Sequence, residues 1–257
     1  MLQSIVITGA SSGIGKALAL HYAAAGRVLG LLGRDSARLE AVAAECRKRG
    51  ADVRLAAIDI RRREDVMAWI ETFDRAVPVD LLVANAGVMH GTPPDGEIEP
   101  ADAAHELMET NVLGVLNSVQ PLLPVMMARR HGRIAIISSI AGFVPLPDAP
   151  SYSASKSAVM NYGLSLRALL APYGVGVSVI CPGYIDTPMM RRESGSKPSV
   201  MRAEKAATLI ARGIARNRAL IVFPFFFGWI TRISGLLPDR LRRWTAGPFR
   251  FTVAPPK

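Results

Sequence analysis

The chain has 257 residues, half of them hydrophobic, with 31 Lys and Arg against 21 Asp and Glu for a formal charge of +10. That composition excludes a disordered tail, a collagen and a disulfide scaffold, and the length suits one large domain or two small ones. Cys46 and Cys181 belong to no CxxC or His/Cys cluster, and His21, His90, His105 and His131 lack metal-ligand spacing. A reducing compartment and no bound metal are therefore expected.

Seven short apolar runs read as strands: Ile5–Thr8, Val28–Leu32, Val53–Ile58, Leu81–Ala84, Arg133–Ile137, Val175–Ile180 and Leu220–Phe223. Helical periodicity fills the gaps, as in Arg38–Arg49, where Leu39, Val42, Ala43 and Cys46 share one face. Continuous apolar strands alternating with helices predict a parallel sheet covered on both faces, an α/β doubly wound fold. Composition does not shift before about residue 185, so one domain over 1–223 is expected. Within it, 182–202 reads as a long mobile loop, and 224–257 as an apolar, basic extension. The start MLQSIVITG lacks a basic n-region, and the longest uncharged apolar run, Ala219–Ile230, is broken by Pro224 and Gly228. It falls short of the roughly 20 residues of a spanning helix, so a soluble, cytoplasmic or surface-bound protein is expected.

Thr8-Gly9-Ala10-Ser11-Ser12-Gly13-Ile14-Gly15 follows the first strand and opens a helix. Glycines there allow a tight turn and close approach to a pyrophosphate, whose charge the helix N-terminus stabilises. Gly15-Lys16 suggests a P-loop, but Ala10 and Ala17 replace its first Gly and its magnesium-holding Ser/Thr. A dinucleotide is favoured over ATP. Further on, Tyr152 and Lys156 are spaced i, i+4 on a helix predicted over Ser151–Leu170, so they share a face. A neighbouring ammonium is expected to lower the phenol's pKa and fit it for proton transfer to a carbonyl oxygen. Ser138 and Ser139 end the fifth strand, at the edge where open α/β sheets place functional groups.

T-G-x-x-x-G-x-G, Ala84-Asn85-Ala86-Gly87, Tyr152-Ser153-Ala154-Ser155-Lys156 and Pro182-Gly183 stand in that order. In this the chain resembles the short-chain dehydrogenase/reductases of compact single-domain type, from Leu2 to about Phe223. The resemblance implies a Rossmann-like fold with a seven-stranded parallel sheet and hydride exchange between a nicotinamide cofactor and a carbonyl or secondary alcohol. It implies a catalytic tetrad of Asn111, Ser139, Tyr152 and Lys156, with Ser139 rather than Ser138 in register. Asn111 would distort its helix and order a water in a proton relay running from Tyr152 through the cofactor ribose and Lys156. Cofactor contacts would come from Thr8, Gly9, Ser11, Ser12, Gly13, Ile14, Gly15, Asn85, Ala86, Gly87, Tyr152, Lys156, Pro182, Gly183, Ile185 and Thr187. Asp59 and Ile60 match the pair that contacts adenine, although Asp59 could instead cap the next helix.

A carboxylate near the end of the second strand selects NAD, and an Arg there selects NADP. Arg34 and Asp35 are both present. The family's NAD-selecting acid falls on Gly33, Arg34 matches the basic residue of NADP users, and Asp35 is better read as a helix N-cap. NADP is expected. Met189-Met190 suits an apolar substrate. One rival reading is a 3-oxoacyl-carrier-protein reductase, although the short glycine-rich ending of such enzymes is missing. Another is a non-catalytic nucleotide-sensing or nucleic-acid-binding module. An intact tetrad and the lack of a basic–aromatic reading element disfavour it, and no nucleic-acid partner is expected. Homo-oligomers are common in the family. The run Phe223-Pro224-Phe225-Phe226-Phe227-Gly228-Trp229-Ile230 opens a tail with six cations against Asp239. That tail is expected to shape an apolar substrate entrance and to form either a subunit interface or a peripheral membrane contact.

Overall fold

The computed structural model describes residues 2–96, 98–224 and 251–254. Phe225–Ile230 and the cations of the tail lie outside these, so the expectations of an interface or a membrane contact fall on residues that are not described. The strands are β1 (Ser4–Thr8), β2 (Val28–Gly33), β3 (Asp52–Ala57), β4 (Leu81–Ala84), β5 (Arg133–Ile137), β6 (Gly176–Pro182), the two-residue β7 (Ile185–Asp186) and β8 (Met201–Arg202), and β9 (Leu220–Phe223). Seven of them form one sheet in the order β3-β2-β1-β4-β5-β6-β9, and every pair is parallel. The strand order reverses beside β1, which pairs Ile7 with Leu31 on one side and with Val83 on the other. In such sheets a crevice opens beyond the strands' carboxyl ends at that point.

Side-chain alternation explains why these strands are apolar throughout. Ile5, Ile7, Leu29, Leu31, Leu81 and Val83 enter one core, while Val6, Leu32, Leu82, Ala84, Ile134 and Ile136 enter the other. On the first face lie α1 (Gly13–Tyr22), α2 (Ser36–Lys48) and α8 (Ala203–Ala215). On the second lie α3 (Arg63–Ala76), α5 (Gly114–Val119) and α7 (Pro150–Leu170). Each fully buried Leu, Ile or Val contributes about 1.5–3 kcal/mol, so the doubly covered sheet is the rigid frame of the site. Cys46 is buried in the first core and Cys181 in a smaller cluster with Met160 and Val179, and they form no disulfide.

Four local features bear on function. Asp35 is the N-cap of α2, its carboxylate accepting from the Arg38 backbone N–H at 2.9 Å. Asp59 does not cap α3: it accepts from the Arg61 N–H at 3.0 Å and from the Arg61 guanidinium at 2.6 Å, two residues before the helix starts. Residues 101–129 form one helical run made of α4 (Ala101–Met108), a π-helical turn (Glu109–Leu113), α5, a 3-10 turn and α6 (Leu123–Arg129). By length and composition this run could cross a membrane, but half of its most apolar window is buried in the fold. Finally, the stretch 182–202 carries short local structure. β7 pairs with β8, Met190–Arg192 form a 3-10 turn, and Glu193 bridges antiparallel to Val253.

Candidate active site

A cavity of about 960 Å3 runs along the carboxyl edge of the sheet, from Arg34 and Asp59 at one end to Met189 and Phe251 at the other. Its floor is the glycine turn after β1. Gly9 has φ +66°, and a Cβ there would lie 2.7 Å from the Ala86 Cα. A Cβ on Gly15 would lie 2.2 Å from the Gly9 carbonyl oxygen. Neither position accepts a side chain. Thr8 Oγ1 accepts from the Asn85 and Ala86 N–H groups at 3.0 and 3.1 Å, and Asn85 Nδ2 donates to the Thr8 carbonyl at 2.9 Å. The turns after β1 and β4 are thereby locked together. Ser12, the N-cap of α1, makes no side-chain cap bond, leaving the first N–H groups of α1 available to an anion. These features fit a dinucleotide's pyrophosphate.

Of the expected cofactor contacts, Gly9, Ser11, Ser12, Gly13, Ile14, Arg34, Asp59, Ile60, Asn85, Ala86, Gly87, Tyr152, Lys156, Pro182, Gly183, Ile185 and Thr187 line the cavity. Thr8 and Gly15 stand behind its wall as buried supports. At the adenosine end, β2 closes on Gly33, whose missing side chain leaves room beside the Ser11 hydroxyl. The strand's last residue offers no carboxylate, and Asp35, two residues on, lines the cavity while capping α2. Arg34 is half-exposed, 3.7 Å from Glu106, and Arg38 joins it on the cavity wall.

Midway along the cavity, Ser139, Tyr152 and Lys156 come together. Ser139 Oγ accepts from the Ala141 N–H at 3.1 Å and lies beside the Tyr152 hydroxyl on the cavity wall, while Ser138 is buried and donates to the Lys156 carbonyl at 2.7 Å. The two adjacent serines therefore face opposite ways, and Ser139 is the one at the phenol. Lys156 is 6% exposed, and its Nζ donates to the Ile137 carbonyl at 3.2 Å, 5.6 Å from the centre of the Tyr152 ring. Burial pushes the ammonium down to about 8, with Cys181 acting weakly against this. Tyr152 departs from expectation. Burial raises its pKa above the ordinary phenol range, Glu193 and Tyr184 add to this, and the Ser139 hydroxyl opposes it. Helical spacing places Lys156 on the right face but does not bring its charge to the hydroxyl, so the phenol keeps its proton.

Asn111 does not line the cavity. Its side chain accepts from the Val88 N–H at 2.8 Å, donates to the Val88 carbonyl at 2.9 Å and donates to Ser155 Oγ at 3.2 Å. Tying Asn111 to the strand-end loop accommodates one extra residue in the helix, which is the π-turn over Glu109–Leu113. Asn111 Oδ1 and Lys156 Nζ lie 3.0 and 3.5 Å from where a Cβ on Gly87 would stand, so both groups converge beneath that glycine.

Beyond Tyr152 the walls are apolar: Val144, Leu146, Met89, Met189 and Phe251. Residues 251–254 reach this place as an extended segment. Phe251 N–H donates to Asp148 at 3.1 Å, Val253 N–H to the Thr92 carbonyl at 2.9 Å, and Ala254 N–H to the Arg192 carbonyl at 3.0 Å. Residues that sequence reasoning missed are concentrated here. Tyr184, Glu193 and Phe251 belong to no motif, and a tail segment returning to the sheet edge leaves no periodic signal.

A Rossmann-like sheet carrying this cavity, a glycine cradle and a Ser–Tyr–Lys cluster defines a nicotinamide-dependent oxidoreductase. The family model described as short chain dehydrogenase matches residues 3–197. A relative from Myxococcus xanthus, named as an uncharacterized oxidoreductase, is 32% identical over 240 residues, covering 93% of this chain and 94% of its own. The 11-beta-hydroxysteroid dehydrogenase-like 2 of Arabidopsis thaliana is 34% identical over 245 residues, 91% of this chain and 78% of its own. Among solved structures, a short-chain dehydrogenase from Sphingobium yanoikuyae in complex with NADPH superposes with a TM-score of 0.79 at 27% identity over 97% of both chains. The chain belongs to the short-chain dehydrogenase family and is an enzyme of the oxidoreductase class.

Proposed function

We propose that this enzyme transfers a hydride between NADP(H) and the carbonyl or secondary alcohol of an apolar substrate. The observation that carries this reading is the meeting of Ser139, Tyr152 and Lys156 on one cavity wall, midway between a basic adenosine end and an apolar far end. When bound, NADPH supplies the hydride. Ser139 holds the substrate oxygen beside Tyr152, and the buried phenol, still protonated, donates its proton as that oxygen gains charge. Lys156 holds the cofactor's nicotinamide ribose and, with a pKa of about 8, can pass a proton onward near neutrality. Asn111 keeps the Gly87–Val88 loop in place beside it.

Arg34, Arg38 and the bare strand end at Gly33 favour a 2′-phosphate over a free hydroxyl. Asp35 is already engaged by the Arg38 N–H and guanidinium, at 2.9 and 2.6 Å, which favours its role as a helix cap over that of an NAD-selecting acid. The NADPH in the Sphingobium relative agrees with this choice. The domain is read as one unit over 1–223 with its tail added, because residues 251–254 complete the substrate wall. Steady-state turnover of a panel of apolar ketones with NADPH and NADH tests the proposal. Reduction that prefers NADPH is expected, and a preference for NADH would overturn the cofactor choice.

A further inference from the structure

Glu193 lines the same cavity as Ser139 and Tyr152, on a wall that it shares with Tyr184, Met189, Arg192 and Phe251. Its backbone is pinned from both sides. The N–H donates to the Met190 carbonyl at 3.2 Å, and the residue bridges to Val253 of the returning tail. Among the described residues its carboxyl group has no hydrogen-bond or ion-pair partner, although three cations stand within four residues of it in sequence. Arg191 pairs with Asp186 at 3.0 Å, Arg192 donates to the Ala254 carbonyl at 2.9 Å, and Lys197 donates to the carbonyl of Glu193 itself. The charge of Glu193 acts against ionisation of the Tyr152 and Tyr184 phenols, which line the same cavity. Partly withdrawing a carboxyl group from water is costly, and among the described residues only the charge of Lys197 acts against that cost.

We infer that Glu193 is a substrate-binding residue that accepts a hydrogen bond from a hydroxyl close to the reacting carbon, so that the preferred substrates are apolar hydroxy ketones and the matching diols. The inference rests on the oxidoreductase reading above and deepens it. Geometry supplies the two anchor points. Ser139 and Tyr152 hold the reacting oxygen, and Glu193, on the facing segment, reaches the neighbouring one. A hydroxyl suits this site better than an amine, because Arg192 on the same wall and Lys197 nearby already place positive charge beside the carboxylate. The rest of the substrate is apolar because the walls offer it little else.

The test is calorimetric titration of the full chain, first with NADP+ alone. For the ketones, the chain is saturated with tetrahydro-NADP, an analogue that neither gives nor accepts a hydride, so that no ketone is reduced and the benzoin carbinol is not oxidised. Benzoin and deoxybenzoin differ by one hydroxyl next to the carbonyl, and desylamine carries an amine in that place. Benzoin is expected to bind about 10- to 100-fold more tightly than deoxybenzoin, the range of a hydrogen bond to a charged group. In Glu193→Leu that preference should fall to within about threefold, while deoxybenzoin binds as before. Glu193→Gln, which keeps shape and an acceptor oxygen, should retain an intermediate preference. Equal affinities in the wild type, no measurable binding of benzoin, tighter binding of desylamine, or an unchanged preference in Glu193→Leu would each overturn the inference. Failure to bind NADP+ at all would instead overturn the cofactor reading.

Discussion

The two ends of the cavity are built by different means. At the cofactor end, the walls are short turns that each follow a strand of the sheet, and glycine backbone lines much of them. Gly9, Gly15 and Gly87 leave room that any side chain would fill, and Thr8 and Asn85 bolt two strand-end turns together. At the substrate end, the wall is assembled from segments around residues 89, 144–148, 184–193 and 251–254, held by isolated backbone bonds. The first end is set by steric exclusion and tolerates almost no substitution. The second is a set of replaceable side chains on a fixed frame, where substrate range can change without loss of the fold.

Tyr152, where the two ends meet, should show the largest effect. Tyr152→Phe is expected to lower kcat by about 100- to 10,000-fold, the range of a general acid, while NADPH affinity by fluorescence titration stays nearly unchanged. Retained turnover of more than a few per cent would place the proton donor elsewhere. Next in size is the cofactor end. Arg34→Ala should weaken NADPH binding by about 1.5–3 kcal/mol and leave NADH unaffected. Equal losses for both would mean that Arg34 does not read the 2′-phosphate.

At the substrate end the comparison predicts reshaping rather than loss. Residues 251–254 are held by backbone hydrogen bonds, so Phe251→Ala should leave cofactor affinity and folding intact. It should raise kcat/KM for bulkier ketones relative to small ones by about tenfold, the scale of a few methylenes in an apolar pocket. A matching drop in NADPH affinity would show that the two ends are not independent.

The smallest effect is in stability against pH. Burial pushes Glu193 up to about 7, and Lys197 pulls weakly the other way. Between pH 4.5 and 7 the folded chain keeps a proton that the unfolded chain has released, so this residue's contribution to stability falls as pH rises through that window. Thermal melts of wild type and Glu193→Gln should therefore diverge between those limits, with the wild type losing Tm relative to the variant as pH rises. Parallel curves would mean that the carboxyl group is solvated.

What could be read from the chain follows the same division. The glycine turn, Asn85-Ala86-Gly87, Ser139 and the Tyr152/Lys156 pair are local patterns tied to one sheet edge, and all seven strands of the large sheet were legible from apolar runs. Their ends slipped by at most two residues, as at β6, where Pro182 still continues the strand. Spacing says which helix face Tyr152 and Lys156 share, but not how deeply they are buried, and depth decided the direction of the phenol's shift. Glu193 sits in the run Arg191-Arg192-Glu193-Ser194, which reads as solvated. Its burial follows from Val253 docking sixty residues further on, a long-range contact with no periodic signature.

The central claim is that a hydride passes from the cofactor to a carbonyl carbon held at Ser139 and Tyr152. Its most direct test is reduction of an apolar ketone with NADPH carrying deuterium at the transferable ring position, followed by mass spectrometry of the alcohol. The account predicts one deuterium on the carbinol carbon and its loss from the cofactor, with no such product from Tyr152→Phe. An alcohol whose new C–H hydrogen comes from solvent, or a ketone left unchanged by the wild-type enzyme across the apolar panel, would contradict it.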